Sequence, residues 1–258
     1  MVFRPLTVAG RPVAQDRLPA VCAPLVATDI ASLVEEARRV AALQPDLLEW
    51  RVDFFQRIAD TPAVLAAARA LREAVGDLPI LFTRRSIREG GQVIPLDEPG
   101  VAALYEAVAI NGTVQWLDWE LSADASLRAR VQAAARSAGL QVVMSCHDFA
   151  RTPAPADMLA TLQAMDAAGA DVAKLAVMPQ SMADVHALLG VTLEAAQTLR
   201  IPVVTMAMGG LGAVTRLCGG VFGSALTFAV GSAASAPGQM PIADVRAALA
   251  VLQRATSG

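Results

Sequence analysis

Of the 21 lysine and arginine residues in this 258-residue sequence, only Lys174 is a lysine. Arginine stays protonated in proteins, whereas a desolvated lysine can lose its proton and attack a carbonyl carbon to form an imine. A composition that uses arginine for every other basic position keeps Lys174 for chemistry that arginine cannot perform. Its surroundings in the stretch DVAKLAVMP agree. Val172, Leu175, Ala176 and Val177 read as a buried strand, where a charged amine is costly and its pKa is driven down. The plainer alternative is a lysine at a strand end with its amine in solvent.

His147, in VMSCHDF, is one of two histidines. Its ordinary pKa suits proton transfer near neutrality. The other, His186, falls within a helical pattern and reads as structural. Ser145 and His147 share a strand face, and Lys174 follows one strand–helix unit later. Adjacent parallel strands lie about 4.8 Å apart, so both side chains can reach one carbonyl substrate. A core histidine remains an alternative. A metal site built on His147 and Asp148 lacks further ligands at the required spacing, and no metal is expected.

More polar residues recur where strands should end. In LLEWRVDFF, Glu49, Arg51 and Asp53 alternate onto one face, with the guanidinium between two carboxylates; a structural ion-pair ladder would give the same pattern. In LFTRRSIREGG, Thr83 and Arg85 share a face, Arg84 points the other way, and Glu89 lies on the glycine-rich loop that follows. In VQWLDWEL the inward set is either Trp116, Asp118 and Glu120 or Leu117 and Trp119, and that strand is given no catalytic role. MAMGGLGAVTR (206–216) carries glycines that allow close backbone approach and Arg216, which can pair bidentately with a carboxylate, although such a loop also occurs as a simple turn. Ser235 and Gln239, in SAASAPGQMP, supply neutral hydrogen-bonding groups.

Composition narrows the class. With 55% hydrophobic residues, 17% charged residues and a net charge of −3, the chain has no basic face for nucleic acid or an anionic membrane. Cys22, Cys146 and Cys218 are odd in number and widely spaced, which favours a reducing cytoplasm over a disulfide framework or a zinc cluster. The N-terminus lacks the apolar core of a secretory signal, and the apolar stretch 221–236 is broken by Gly223, Ser224, Gly231 and Ser232, so no membrane span is expected.

To position these residues, the sequence alternates short apolar runs with alanine-rich helical segments. Candidate strands cover Val21–Ala27, Leu47–Asp53, Ile80–Arg85, Val114–Glu120, Gln141–His147, Val172–Val177, Pro202–Ala207 and Ala225–Val230. Helical patterns follow at 29–43, 62–75, 98–111, 123–138, 156–168, 182–199, 212–218 and 242–254, with Asp29, Thr61-Pro62, Ser122 and Ser181 at their starts. Eight such pairs predict an α/β fold, a (β/α)8 TIM barrel whose reactive side chains gather at the C-terminal strand ends. Residues 1–19 precede the barrel with a hairpin that caps one end, and 20–258 form the barrel of a single domain. An open doubly wound sheet is the alternative, without a GxGxxG motif to support it.

In order along the chain, LLEWRVDFF, LFTRRSIREGG, VMSCHDF, DVAKLAVMP, TMAMGGLGAVTR, FGSALTF and ASAPGQ resemble type I 3-dehydroquinate dehydratase from about Val21 to Ala255. The resemblance implies syn elimination of water from 3-dehydroquinate to give 3-dehydroshikimate in the shikimate pathway, by a cytoplasmic homodimer without a cofactor. It implies that Lys174 forms the Schiff base, that His147 is the general acid/base, and that Glu89 assists or orients it. Substrate binding would fall to Glu49, Arg51, Arg85, Arg216, Ser235 and Gln239, with Arg216 on the carboxylate. Cys146 stands where the family commonly has tyrosine, and the loop 209–212 varies. A class I aldolase using the same lysine chemistry, and a catalytically silent barrel that binds a carboxylic acid, remain as alternatives.

Overall fold

The computed structural model describes residues 4–14 and 19–256. Strands β1 (Thr7–Val8) and β2 (Arg11–Pro12) pair antiparallel as a small separate sheet. Residues 1–3 and 15–18, part of the expected N-terminal segment, lie outside the described residues. The main sheet is parallel and follows chain order: β3 (Ala20–Leu25), β4 (Leu47–Arg51), β5 (Ile80–Thr83), β6 (Trp116–Glu120), β7 (Gln141–Asp148), β8 (Val172–Val177) and β9 (Val203–Ala207), with β10 (Leu226–Phe228) against β3. Between β9 and β10 the circle closes through a parallel bridge from Val203 to Ser224, with the Ala225 N–H donating to the Val203 carbonyl at 2.8 Å. The expected (β/α)8 barrel, preceded by a hairpin, is therefore the observed architecture.

Eight helices follow the barrel strands in turn: α1 (Ile30–Ala41), α2 (Thr61–Val75), α3 (Glu98–Asn111), α4 (Ala125–Ser137), α5 (Pro155–Ala167), α6 (Met182–Thr198), α7 (Gly209–Cys218) and α8 (Ile242–Thr256). Asp29 and Ser181 cap α1 and α6 as expected, each within a reciprocal capping box. Asp60 and Asp124, rather than Thr61 and Ser122, cap α2 and α4. Their carboxylates reach free N–H groups of the first turn, which a residue already inside or further from the helix cannot do.

Strand alternation divides the interior. Leu48, Trp50, Phe82, Leu117, Trp119 and Val142 face the helices, whereas Cys22, Leu47, Leu81, Trp116, Val143 and Val172 fill the barrel near the N-terminal strand ends. Leu6 and Ala14 of the hairpin segment join that second cluster, closing this end. The other end is left to polar groups. On the outer face of the sheet, Trp50, Phe82, Tyr105 and Trp119 stack edge to face, with ring centroids 5.0–5.4 Å apart. The Tyr105 hydroxyl donates to the Asp118 carbonyl at 2.9 Å and accepts the Arg84 N–H at 2.7 Å. This bond takes Arg84 out of the β5 ladder, one reason β5 stops at Thr83 rather than at Arg85.

Candidate active site

The nine residues that the resemblance assigns to catalysis and substrate binding, Lys174, His147, Glu89, Glu49, Arg51, Arg85, Arg216, Ser235 and Gln239, line one cavity at the C-terminal ends of the strands. Lys174 and His147 stand on neighbouring strands, in register so that Lys174 pairs with Ser145 and Ala176 with His147. Even strand spacing along β7 and β8 thus points both side chains inward.

The lysine's surroundings are not the apolar pocket that its flanking run suggested. Lys174 Nζ lies 3.1 Å from Asp118 Oδ2 and 3.5 Å from Glu49 Oε1, with the Phe228 ring centroid at 4.6 Å. Ala173, Leu175 and Val177 alternate to the helix side, while Val172 and Ala176 share the interior face with the lysine. Arg51 does not stand between two carboxylates either. It forks onto Asp53 alone, Nε to Oδ1 and Nη2 to Oδ2 both at 2.8 Å, because Val52–Phe54 turns as a 3-10 helix and swings Asp53 back. Glu49 instead accepts from Thr83 Oγ1 at 3.0 Å.

Arg85 is buried among acids. It donates to Asp118 Oδ1 at 2.8 Å, to Glu120 Oε1 at 3.1 Å and to Ser145 Oγ at 2.8 Å, with Glu89 at 3.7 Å. Arg84, as expected, faces outward, onto Glu98. Asp118 and Glu120 are the functional candidates that sequence reasoning left out. A signal was available: the outer face of β6 must pack α3 and α4, so it takes Leu117 and Trp119 and leaves the charges to the barrel interior, as Trp50 does beside Glu49 and Arg51.

Glu89 reaches the histidine from the short 3-10 helix Ile87–Glu89. Its Oε2 accepts the His147 backbone N–H at 3.0 Å and lies 2.9 Å from Nδ1, while Oε1 accepts from Ser122. When ionised, Glu89 can only accept, which selects the tautomer with Nδ1 protonated and leaves the Nε2 lone pair free. Burial, then the nearby Arg85, Lys174 and Arg51 charges, lower the His147 pKa well below its usual range, so the ring is a neutral base at pH 7. Burial and the Glu120 charge push Glu89 up to about 7.

The sign of that shift gives a stability prediction. The folded protein disfavours ionised Glu89, so this group's contribution to stability falls as pH rises from the ordinary value of 4.5 to about 7 and then levels off. Glu89→Gln is expected to melt like wild type near pH 4 and to gain roughly 1–3 kcal/mol by pH 8. Thermal unfolding across that range checks it, and an equal gain at every pH would contradict it.

Arg216, on α7, is buried with no carboxylate partner among the described residues. Its Nη2 donates to the Pro237 carbonyl at 3.1 Å and Nη1 to the Phe228 carbonyl at 3.4 Å, while Nε has no partner. Burial lowers its pKa to about 10. The helix that carries it starts at Gly209 rather than Gly212: the glycines expected in a loop form its first turn. A Cβ at Gly212 would sit 2.2 Å from the Ala207 carbonyl oxygen, so glycine lets α7 lie directly on β9. The segment after β10 crosses the same mouth, with the Ser235 carbonyl accepting from Arg51 Nη1 at 3.3 Å and Gln239 bonded to Ser235.

Fold and site together define a (β/α)8-barrel enzyme with a buried amine, an imidazole and an unpaired guanidinium around one small cavity. The model of type I 3-dehydroquinase matches residues 21–256. A 3-dehydroquinate dehydratase of Aromatoleum aromaticum is 48% identical over 99% of this chain and 98% of its own. Among solved structures, the 3-dehydroquinate dehydratase of Geobacillus kaustophilus superposes with a TM-score of 0.92 at 47% identity, covering 97% of each chain. The type I enzyme of Clostridium difficile, solved with covalently modified comenic acid, gives 0.92 at 34% identity over 98% of this chain and 99% of that one. The chain belongs to the type I 3-dehydroquinase family, a family of hydro-lyases.

Proposed function

We propose that this enzyme eliminates water from 3-dehydroquinate to give 3-dehydroshikimate through an imine on Lys174, with His147 moving the protons. The observation that carries this reading is the placement of Lys174 and His147 in the cavity that also holds the unpaired Arg216 guanidinium. Lys174 attacks the ketone, and water leaves as the C=N bond forms. The protonated imine draws electrons from the adjacent carbon and acidifies its C–H bond. His147 Nε2 takes that proton, the electrons move into an enamine, and the imidazolium returns the proton to the β-hydroxyl as it departs as water. Hydrolysis of the conjugated imine frees product and lysine. Glu89 keeps the imidazole in the tautomer this sequence needs. Covalently modified comenic acid in the C. difficile relative is in keeping with covalent chemistry at such a site.

Arg216 takes the substrate carboxylate, and Glu49, Arg51, Arg85, Ser235 and Gln239 bind the rest of the molecule. A carboxylated polyol fits these groups better than the phosphorylated substrates common among aldolases. Conversion of 3-dehydroquinate, followed by the absorbance of the conjugated enone product, tests the reading; no enone from folded enzyme would contradict it. Arg216→Met is expected to raise KM by roughly 10- to 100-fold, through loss of charge-assisted bonds, with a smaller change in kcat. The melting temperature should not fall, since a buried cation without a counter-charge contributes little to stability. An unchanged KM would remove Arg216 from substrate binding. The whole chain acts as one domain in a cytoplasmic homodimer, for which light scattering should give twice the chain mass.

A further inference from the structure

Asp118 is fully enclosed behind the site, with no solvent exposure of its side chain. Its Oδ1 accepts from Arg85 Nη2 at 2.8 Å and from Ser145 Oγ at 2.7 Å, while Oδ2 lies 3.1 Å from Lys174 Nζ. Behind the strand, Tyr105 holds the Asp118 carbonyl at 2.9 Å. A carboxylate fixed at both oxygens and at its backbone cannot swing toward substrate, so what it can do it does through Lys174. Glu49 is the weaker partner, 3.5 Å from Nζ by an oxygen it shares with Thr83.

We propose that Asp118 is the fixed counter-ion of the reacting nitrogen, holding Lys174 Nζ in place and balancing its positive charge as ammonium and again as iminium. This assignment rests on the imine reading of Lys174. Charge accounting favours a partner that does not move. An ammonium and a ketone give a protonated imine and water: the C=O bond is replaced by C=N, and the carbonyl oxygen leaves with two of the nitrogen's three protons. Nitrogen carries one positive charge on both sides. A carboxylate placed for the first state is placed for the second, and no charge has to be resolvated between them. Burial raises the Asp118 pKa, but the Arg85 and Lys174 charges and the bonds from Ser145 and Lys174 outweigh it and hold the group below its usual range. Asp118 is therefore a standing negative charge rather than a proton acceptor.

The test compares wild type with Asp118→Asn by steady-state kinetics and by borohydride quenching with saturating 3-dehydroquinate, reading the mass added at Lys174. Asp118→Asn is expected to lower kcat on the order of 10²-fold, with less imine trapped at the same quench time. KM should change less, because Arg216, Ser235 and Gln239 do not touch Asp118 and Arg85, which does, keeps Glu120 and Ser145 as partners. A folded Asp118→Asn enzyme with wild-type kcat and wild-type trapping overturns the proposal. If that variant does not fold, the Lys174→Met/Asp118→Asn double variant decides. Removing both charges should restore melting above that of Asp118→Asn alone, and a double variant no more stable than the single one overturns the pairing. Wild-type enzyme that turns over without a trapped imine would instead overturn the imine reading, and the melting comparison would still report on the ion pair.

Discussion

Lys174→Ala is expected to lower turnover of 3-dehydroquinate by at least about 10⁴-fold, because no other group at the site can form the electron sink on which the elimination depends. Lys174 is the one lysine in the chain, and the other basic side chains in the cavity are His147 and two kinds of buried arginine, those paired with acids and Arg216, which has no carboxylate partner among the described residues. None can attack a ketone as a free amine. The alanine also strands Asp118 and Glu49, which lose a cation at 3.1 and 3.5 Å, so some loss of stability is expected as well. Lys174→Arg separates the two effects. It keeps the charge near those carboxylates and should recover much of the melting temperature, yet it should remain without imine and without turnover. Turnover in folded Lys174→Arg close to wild type would remove the lysine from the chemistry.

His147→Ala is expected to keep the imine and lose the reaction. Lys174 is held by Asp118, Glu49 and the Phe228 ring, none of which depends on the imidazole, so the amine keeps its place when the ring is removed. Proton transfer from the carbon next to the imine then falls to water, and kcat should drop by roughly 10²- to 10⁴-fold, the range in which a positioned acid/base group contributes. Borohydride should still add mass at Lys174. Trapping lost together with turnover would mean that His147 is needed to make the imine, and wild-type turnover would remove it from proton transfer. Glu89 would lose its Nδ1 partner in this variant but keep the His147 position's backbone N–H and Ser122. Its buried carboxyl therefore stays fixed, and the variant should fold.

Much of this arrangement was legible because the barrel turns sequence parity into position. Lys174 and His147 could be placed at one cavity from their types and from one intervening strand–helix unit, since a buried parallel strand has few reasons to hold either. What parity could not supply was which partner each charge chooses. Arg51 takes only Asp53 because the chain bends into a 3-10 turn directly after β4, and nothing in LLEWRVDFF marks that bend. The apolar neighbours of Lys174 suggested an isolated amine, yet its partners come from β4 and β6, distant in sequence and brought close only by closure of the sheet. On β6, alternation alone left two inward sets, and the packing demand of α3 and α4 decides between them. The glycines at 209–212 misled for a different reason. They form the first turn of α7, and Gly212 serves the close approach of that helix to the Ala207 backbone, a tertiary contact that reads in sequence like a loop.

The central claim, that Lys174 forms an imine with a ketone substrate in this cavity, is tested most directly by treating wild-type enzyme and 3-dehydroquinate with borohydride and locating the modification by peptide mass spectrometry. The expected result is one stable adduct of reduced substrate on Lys174, formed only when substrate is present and lost in Lys174→Ala. Enzyme that turns over under the same conditions but carries no adduct, or carries it on another residue, would contradict the claim.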